Sequence, residues 1–119
     1  MIAHLVLFTP KSGLSAEDRE AGLVALERAC VSIPEIKRAT FGRRRTLGHE
    51  YDAAAPMAVE YAVLLEFETE DDLRTYLHHP AHVALGHHFH NSSELAMAID
   101  FTVGDASQIR AIAGLDSDD

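Results

Sequence analysis

The chain has 119 residues, of which 47% are apolar, so it is long enough for one domain with a hydrophobic core. Its formal charge of −9, from 19 acidic and 10 basic residues, disfavours nucleic acid and membrane surfaces as partners, because phosphate backbones and anionic lipid repel it. A single cysteine, Cys30, favours the reducing cytoplasm, and no apolar run has the length of a signal peptide or a membrane span.

The first predicted element is a strand over residues 2–9, which are rich in β-branched and aromatic side chains. Strand parity places His4 and Phe8 on one face of this strand and Leu5 and Leu7 on the other. Both faces are apolar apart from His4, so we expect both to be covered.

A helix is predicted next, with Ser15 as its N-cap and Asp18 three residues later as a capping-box variant. Pro34 predicts that this helix ends near Ser32. Four residues recur along it at three- and four-residue steps and form one apolar stripe: Leu23, Leu26, Cys30 and Ile33.

The middle of the chain predicts two strands separated by a loop. The first strand covers 39–47, although Gly42 and three arginines interrupt its pattern, and the loop covers 48–56. The second strand covers 58–68 and alternates regularly between its two faces. We expect the arginines to pair with Glu60 and Glu66, across the sheet or a dimer interface.

The last third of the chain begins with Thr69, a predicted N-cap with an acidic residue at N3. Pro80 interrupts the helix that follows and is suited to the first turn of another. Residues 95–103 predict the final strand. Beyond it, Ile109, Ile112 and Leu115 would allow a short amphipathic helix, and the sequence Asp-Ser-Asp-Asp at 116–119 predicts a frayed, acidic end.

The order strand, helix, strand, strand, helix, strand predicts an α+β, ferredoxin-like split βαβ sandwich, with a four-stranded antiparallel sheet and helices on one face. The helices leave the opposite face, with Leu5, Leu7 and Leu64, without a cover. A second copy of the chain is the simplest cover, so the sequence predicts a homodimer that forms a dimeric α/β barrel. We assign residues 1–104 to this domain and 105–119 to an acidic C-terminal tail.

Four motifs resemble the stress-responsive A/B-barrel (Dabb) domain family. They are His-Leu-Val-Leu-Phe at 4–8, Glu-Phe at 66–67 before an acidic helix, His-Pro-Ala-His at 79–82 and Asp-Phe at 100–101. The resemblance covers nearly the whole domain and implies two subunits that pack sheet against sheet to close an eight-stranded barrel. The best-defined catalytic relative is a plant polyketide cyclase, which makes olivetolic acid by an intramolecular aldol condensation in a pocket between sheet and helices.

The resemblance to that cyclase implies catalytic roles for His82, Tyr76 and His4. Aldol cyclisation needs a base that removes a proton next to a carbonyl and a donor that stabilises the resulting oxyanion, and histidine and tyrosine suit these roles. A further pocket histidine of the cyclase falls at Tyr61, which departs from its pattern. The residues predicted to bind the ligand are Tyr61, His79, Phe8 and Asp100.

Each of these residues also has a purely structural interpretation. His82 would brace the Pro80 break, and Tyr76 would pack in the core with its hydroxyl satisfied. His4 would be a hydrogen-bonded core histidine. His79 and Asp100 would hold the chain around the helix break through a His–carboxylate hydrogen bond.

A cluster of histidines over residues 78–90 suggests a metal site, because His78 and His82 stand at i and i+4. However, Pro80 lies between them, and no glutamate follows the first histidine as it does in zincins. We therefore predict no metal site, and the resemblance implies no cofactor.

The leading functional hypothesis is a protein that binds a small apolar or aromatic molecule, with cofactor-free acid–base activity of the cyclase or isomerase type. One alternative is a non-catalytic, stress-associated dimer whose pocket is filled by side chains. Another is a cofactor-free monooxygenase on the same scaffold. An open cavity with His82 and Tyr76 on its wall would favour the first hypothesis over the filled dimer.

Overall fold

A single four-stranded antiparallel sheet organises the computed structural model, which describes residues 1–55 and 58–115. Its strands are β1 (Ile2–Pro10), β2 (Arg38–Arg43), β3 (Tyr61–Phe67) and β4 (Ser93–Thr102). Their order across the sheet is β2-β3-β1-β4. The predicted α+β, ferredoxin-like fold is therefore confirmed.

The helices are α1 (Ala16–Ser32), α2 (Glu50–Ala54), α3 (Glu70–His78), α4 (Pro80–Ser92) and α5 (Ile109–Ile112), and a 3₁₀ turn (Ala106–Gln108) precedes α5. The predicted caps of α1 and α3 are confirmed, because Ser15 and Thr69 each accept a hydrogen bond from the backbone N–H three residues later, both at 3.1 Å. Within residues 1–55 and 58–115, no helix is long and apolar enough to cross a membrane.

The core lies between the sheet and the long helices. On β3, Val63, Leu65 and Phe67 are all buried on the helix-facing side. Leu26, Ala29 and Ile33 of α1 pack against this layer, together with Leu73, Tyr76 and Leu85 of α3 and α4. Burying each of the large apolar side chains contributes roughly 1.5–3 kcal/mol, so this layer supplies most of the hydrophobic stabilisation.

The other face of the sheet is apolar but lies partly open. Strand pairing sets Leu5 of β1 between Leu64 of β3 and Ile99 of β4, so the three side chains share this face. Ile99 remains 39% exposed and its neighbour Phe101 remains 46% exposed. No helix in the described part of the chain covers these residues, as the sequence predicts.

The segment 48–56, predicted as a loop, contains the helix α2 (Glu50–Ala54), so the loop prediction is wrong for these five residues. The Asp52 carboxylate accepts hydrogen bonds from the backbone N–H groups of Leu47, Gly48 and His49, at 2.8–3.1 Å. One side chain from the first turn of α2 thereby binds the three residues that lead into the helix. Residue 56 of the predicted loop and the predicted frayed end, 116–119, lie outside the described residues.

The strand boundaries also differ from the prediction. β2 ends at Arg43 rather than at residue 47, and β3 begins at Tyr61 rather than at residue 58. Of the three arginines at 43–45, Arg43 pairs with Glu60 as expected, at 3.7 Å. The partner of Glu66 is instead Arg38, at the start of β2, at 3.9 Å. These exposed pairs contribute little stability.

Candidate functional site

A cavity of about 340 Å³ lies between the sheet and helices α3 and α4. Its wall is largely apolar and includes Val6, Leu26, Val63, Leu85 and Phe89. Three polar side chains also line it, namely His4, Tyr76 and His82. An apolar cavity with a few converging polar groups is the usual form of a small-molecule site.

His82 stands in the first turn of α4, and its ring has a defined tautomer. Nδ1 lies 2.9 Å from the carbonyl oxygen of Leu77. A carbonyl oxygen can only accept a hydrogen bond, so Nδ1 carries the proton and Nε2 keeps a free lone pair. Burial lowers the pKa of His82, and nearby His4 and His78 lower it further, against the opposing effect of the Leu77 carbonyl. The ring is therefore neutral near pH 7 and can act as a base.

The break between α3 and α4 positions His82. In a continuous helix, the Leu77 carbonyl would accept from the N–H of Ala81. Here the N–H of Ala81 donates instead to Nδ1 of His79, at 3.0 Å, because His79 is the N-cap of α4. Pro80 follows the cap in the first turn, where its missing N–H costs nothing. The Leu77 carbonyl is left free for the imidazole of His82.

Tyr76 lies on the last turn of α3, beside His82. Its ring centroid is 4.6 Å from that of His82 and 5.6 Å from that of His4. The residue is only 2% exposed. Burial raises its pKa well above the ordinary value, and the nearby Cys30 thiol adds to the shift. Tyr76 therefore keeps its phenolic proton and can serve as a hydrogen-bond donor rather than as a base.

His4 is buried, at 5% exposure, and pairs with Asp100. The two residues are direct partners in the ladder between β1 and β4, so both project toward the helices. Nδ1 of His4 lies 2.6 Å from Oδ1 of Asp100. The carboxylate thus fixes the orientation of the His4 ring. Asp100 itself stands outside the cavity, with its side chain 51% exposed.

The predicted hydrogen bond between His79 and Asp100 does not form, because each residue has another partner. His79 caps α4 and borders a shallow surface groove with Asp71 and Thr75, away from the cavity. Asp100 holds His4. The β1–β4 register decides this pairing over a separation of 96 residues, and no local spacing in the sequence signals it.

Phe8 and Tyr61, predicted as ligand-binding residues, line a second cavity of about 310 Å³. Their rings stack with centroids 5.3 Å apart, and Phe41 of β2 stacks on Tyr61 at 5.4 Å. Leu26 and Phe89 line both cavities and so stand between them. The sequence gives no sign of this partition, which depends on how α1 and α4 cross.

His88 also borders the second cavity and has an unusual environment. Its Nε2 is buried and has no hydrogen-bond partner among the described residues. The ring packs closely on Gly22 of α1, where a β-carbon would come within 3.0 Å of Nε2. The absence of a side chain at Gly22 therefore allows α1 and α4 to approach each other at this point.

The residues that could bind a metal ion are not clustered within 1–55 and 58–115. No group of three or more His, Cys, Asp or Glu side chains converges there to hold an ion. His78 and His82 donate from Nδ1 to different backbone carbonyls, those of Arg74 and Leu77. The i, i+4 spacing therefore does not bring their rings together on one regular helix.

The fold and the cavity define a ferredoxin-like α+β domain with two histidines and a tyrosine in an apolar interior. The model of the Stress responsive A/B Barrel Domain (Dabb) family matches residues 2–103. The chain belongs to this family, which confirms the predicted resemblance. No curated protein matches the sequence.

Solved structures with the same fold include proteins with and without a known activity. A dimeric ferredoxin-like protein of unknown function from Thermobifida fusca has a TM-score of 0.67 and 26% identity, with 86% of this chain and 90% of that chain covered. The hydroxynitrile lyase from Passiflora edulis has a TM-score of 0.73 and 15% identity, with 88% of this chain and 94% of that chain covered. SnoaB, a cofactor-independent oxygenase from Streptomyces nogalater, has a TM-score of 0.64 and 18% identity, with 88% of this chain and 94% of that chain covered. At such identities, the likeness to the two enzymes shows the fold alone.

Proposed function

We propose that the protein binds a small, largely apolar molecule in the cavity between sheet and helices and catalyses a cofactor-free acid–base reaction on it. The observation that carries this proposal is the pair of Tyr76 and His82, with rings 4.6 Å apart on the wall of an otherwise apolar cavity. One member of the pair is suited to take up a proton and the other to donate a hydrogen bond.

In the proposed reaction, Nε2 of His82 removes a proton from the carbon next to a carbonyl group of the ligand. The hydrogen bond from Nδ1 to Leu77 keeps the lone pair on Nε2. Burial lowers the pKa of His82 and keeps the ring unprotonated near neutral pH. The same ring can return the proton later, so the cycle needs no external acid, as in cyclase and isomerase chemistry.

Tyr76 stabilises the negative charge that develops on the carbonyl oxygen when the proton leaves. Its hydroxyl stays protonated because burial raises its pKa. A preorganised donor in an apolar cavity stabilises an enolate oxygen more strongly than water does. Tyr76 and His82 therefore divide the donor and base roles between them.

His4 serves as the orienting or secondary polar group. Asp100 contacts its Nδ1 at 2.6 Å and so fixes the orientation of the ring. Its ring meets that of Tyr76 edge-on at 5.6 Å. His4 thus limits the orientations open to the Tyr76 ring.

The ligand is proposed to contact Phe8 and Tyr61 where it extends past Phe89. The stacked rings of Phe8, Tyr61 and Phe41 form one wall of the second cavity and favour a planar aromatic group. Asp100 and His79 act from outside the cavity, the first by holding His4 and the second by capping α4.

The working form is proposed to be a homodimer in the cytoplasm. Solved structures of this fold include dimeric ferredoxin-like proteins, which supports two subunits. The half-exposed apolar face with Ile99 and Phe101 supplies a matching surface. A single cysteine, Cys30, is compatible with a reducing compartment.

A ligand screen followed by an exchange assay tests this proposal. We expect some 6-alkyl-2,4-dihydroxybenzoic acids or aryl ketones to raise the melting temperature of the wild-type protein. Bound aryl ketones should exchange their α-protons for deuterium faster than in buffer. His82→Gln should abolish this acceleration, whereas His87→Gln, an exposed histidine on the same helix, should leave it intact. Equal exchange with both variants would refute the role of His82.

The filled-pocket alternative is disfavoured by the open volume of about 340 Å³ beside Tyr76 and His82. A dimer with only a structural role would show no ligand-dependent rise in melting temperature. The oxygenase alternative has no residue of its own in the cavity, and it predicts oxygen consumption in the presence of the same ligands.

A further inference from the structure

We infer that residues 105–115, which we call the C-terminal arm, dock through the apolar side chains of Ile109, Ile112 and Leu115 onto a second copy of this chain. The arm lies beyond the part that matches the family model, which ends at residue 103. It therefore lies outside the part of the chain that matches the family domain.

The arm is a preformed helical unit that is capped at both ends. At its start, the Asp105 carboxylate accepts from the N–H of Ser107 at 2.9 Å, and the Gln108 side chain accepts from the N–H of Asp105 at 3.1 Å. At its end, Gly114 adopts a positive φ of 75°, and the N–H of Leu115 donates to the carbonyl of Arg110 at 2.9 Å. These bonds form a capping box and a Schellman motif, which satisfy backbone groups at both ends of the arm.

The arm nevertheless lacks a surface to pack on within its own subunit. Ile109, Ile112 and Leu115 are 63%, 42% and 62% exposed. Among the described residues, neither α5 nor the 3₁₀ turn packs extensively on any strand or on any other helix. So short a helix is not stable in water by itself, and its stability normally comes from packing an apolar face. The arm therefore requires a partner surface.

A groove that the end of β4 lines on the same subunit does not suit that apolar face. It lies between α3 and the end of β4, and its lining includes the charged groups of Glu70, Arg74 and Asp100. Packing isoleucine and leucine there would remove water from charged groups without replacing their hydrogen bonds. The apolar side chains of the arm should therefore pack on another subunit.

The position of the arm next to the open face of the sheet identifies a second copy of the chain as its partner. The arm follows β4 directly, and the N–H of Val103 still donates to the carbonyl of Met1, so the sheet extends to the residue before Gly104. The open face of β4 carries Ile99 and Phe101 close to this point. When two such faces pack together, the arm leaves the sheet at the border of the interface and extends the apolar contact onto the partner.

Hydrogen exchange on the wild-type protein tests this docking without any substitution. The inference rests on the homodimer of the proposed function, and the measurement separates the two. Protection of amides 109–115 should appear in step with dimer formation as the protein concentration rises. Arm amides that stay unprotected in the dimer, or that are equally protected in the monomer, overturn the docking alone. A chain that remains a monomer at all concentrations overturns the homodimer as well.

Sedimentation equilibrium of arm variants gives the second readout. The triple variant I109N/I112N/L115N and a chain ending at Gly104 should both raise the dimer Kd about 30-fold or more, which corresponds to about 2 kcal/mol. Val31→Asn, at a site that is 85% exposed on α1, is the matched control and should leave the Kd unchanged. An unchanged Kd in both arm variants overturns the docking. Circular dichroism at low concentration checks that the variants still fold.

Discussion

His4 and Asp100 stand opposite each other on β1 and β4 and join by a hydrogen bond of 2.6 Å between Nδ1 and Oδ1. The histidine is almost completely buried, whereas the carboxylate is half exposed to solvent. The pair therefore links the interior of the domain to its surface. Among the described residues, Asp100 is the side chain that forms a hydrogen bond with this buried imidazole.

Replacing Asp100 by Asn should weaken the hydrogen bond that holds His4. A bond to a charged acceptor is roughly twice as strong as a neutral one, and the exposure of Asp100 reduces its effect, so we expect a loss of about 1 kcal/mol in the free energy of unfolding. Urea denaturation measures this loss. Glu94→Gln, at an exposed position on the same strand, is the control and should change stability by less than about 0.5 kcal/mol. A similar loss in both variants would show that strand charge, and not the pairing with His4, matters.

Replacing Tyr76 by Phe should separate packing from chemistry. The ring still fills the same buried space, so we expect the free energy of unfolding to change by less than about 1.5 kcal/mol. Without the hydroxyl, acceleration of α-proton exchange should fall about 100-fold, because the oxyanion loses its donor. Chemical denaturation and deuterium exchange followed by NMR measure the two effects. Full exchange activity in the folded variant would remove Tyr76 from the proposed mechanism.

Burial lowers the pKa of His82 below the ordinary histidine value of 6.5, and the direction of this shift predicts the sign of a pH effect on stability. At pH values below 6.5, the unfolded chain binds a proton at this site that the folded chain resists. The contribution of His82 to stability is therefore complete above pH 6.5 and is lost as the pH falls from there toward the lower pKa of the folded state. Unfolding curves should show a smaller loss between pH 7 and pH 5 for His82→Gln than for the wild type.

The same shift predicts the pH profile of activity. Because His82 acts as a base only when neutral, activity should persist to a pH below 6.5 before it falls. An inflection above 6.5 on the acid side would contradict both the lowered pKa and the role of His82. His87→Gln should reproduce the wild-type profile.

Phe89→Ala should join the two cavities, since Phe89 lines both. We expect a loss of roughly 3 kcal/mol in the free energy of unfolding, because the ring also packs edge-on against Phe8 at 4.6 Å. The variant should bind bulkier aromatic acids that the wild type rejects, measured by the rise in melting temperature with each ligand. If the set of accepted ligands does not change, the two cavities do not act together in binding.

A charge on the open sheet face should separate the subunits. Ile99→Asp places a carboxylate in the surface that we expect to be buried between the two sheets, and it should convert the dimer to a monomer at micromolar concentration. Size-exclusion chromatography with light scattering measures the mass. Val31→Asp adds the same charge at an exposed site on α1 and should remain dimeric.

The elements that were predictable from sequence are those with strong local signals. Alternation along β1 and β3 and the caps at Ser15 and Thr69 each depend on residues a few positions apart. Pro80 likewise marks the start of α4 from its own chemistry alone. These signals are sufficient to predict the ferredoxin-like order.

The features that were missed depend on contacts distant in sequence. The choice of His4 rather than His79 as the partner of Asp100 is made by the register of two strands almost a full chain length apart. The helix α2 depends on one carboxylate, that of Asp52, which collects three backbone donors in a segment without a periodic apolar pattern. The division between Phe8 and His82 follows from the crossing of α1 and α4, which no local spacing encodes.

The interruption between α3 and α4 has a consequence for how this scaffold acquires reactivity. The carbonyl that orients the His82 imidazole is free only because Ala81 donates its N–H elsewhere, to the His79 ring. A sequence change that restored an unbroken helix through this point would use up that carbonyl and release the ring to either tautomer. Relatives that lack the proline should therefore keep the architecture but lose control over which ring nitrogen is basic.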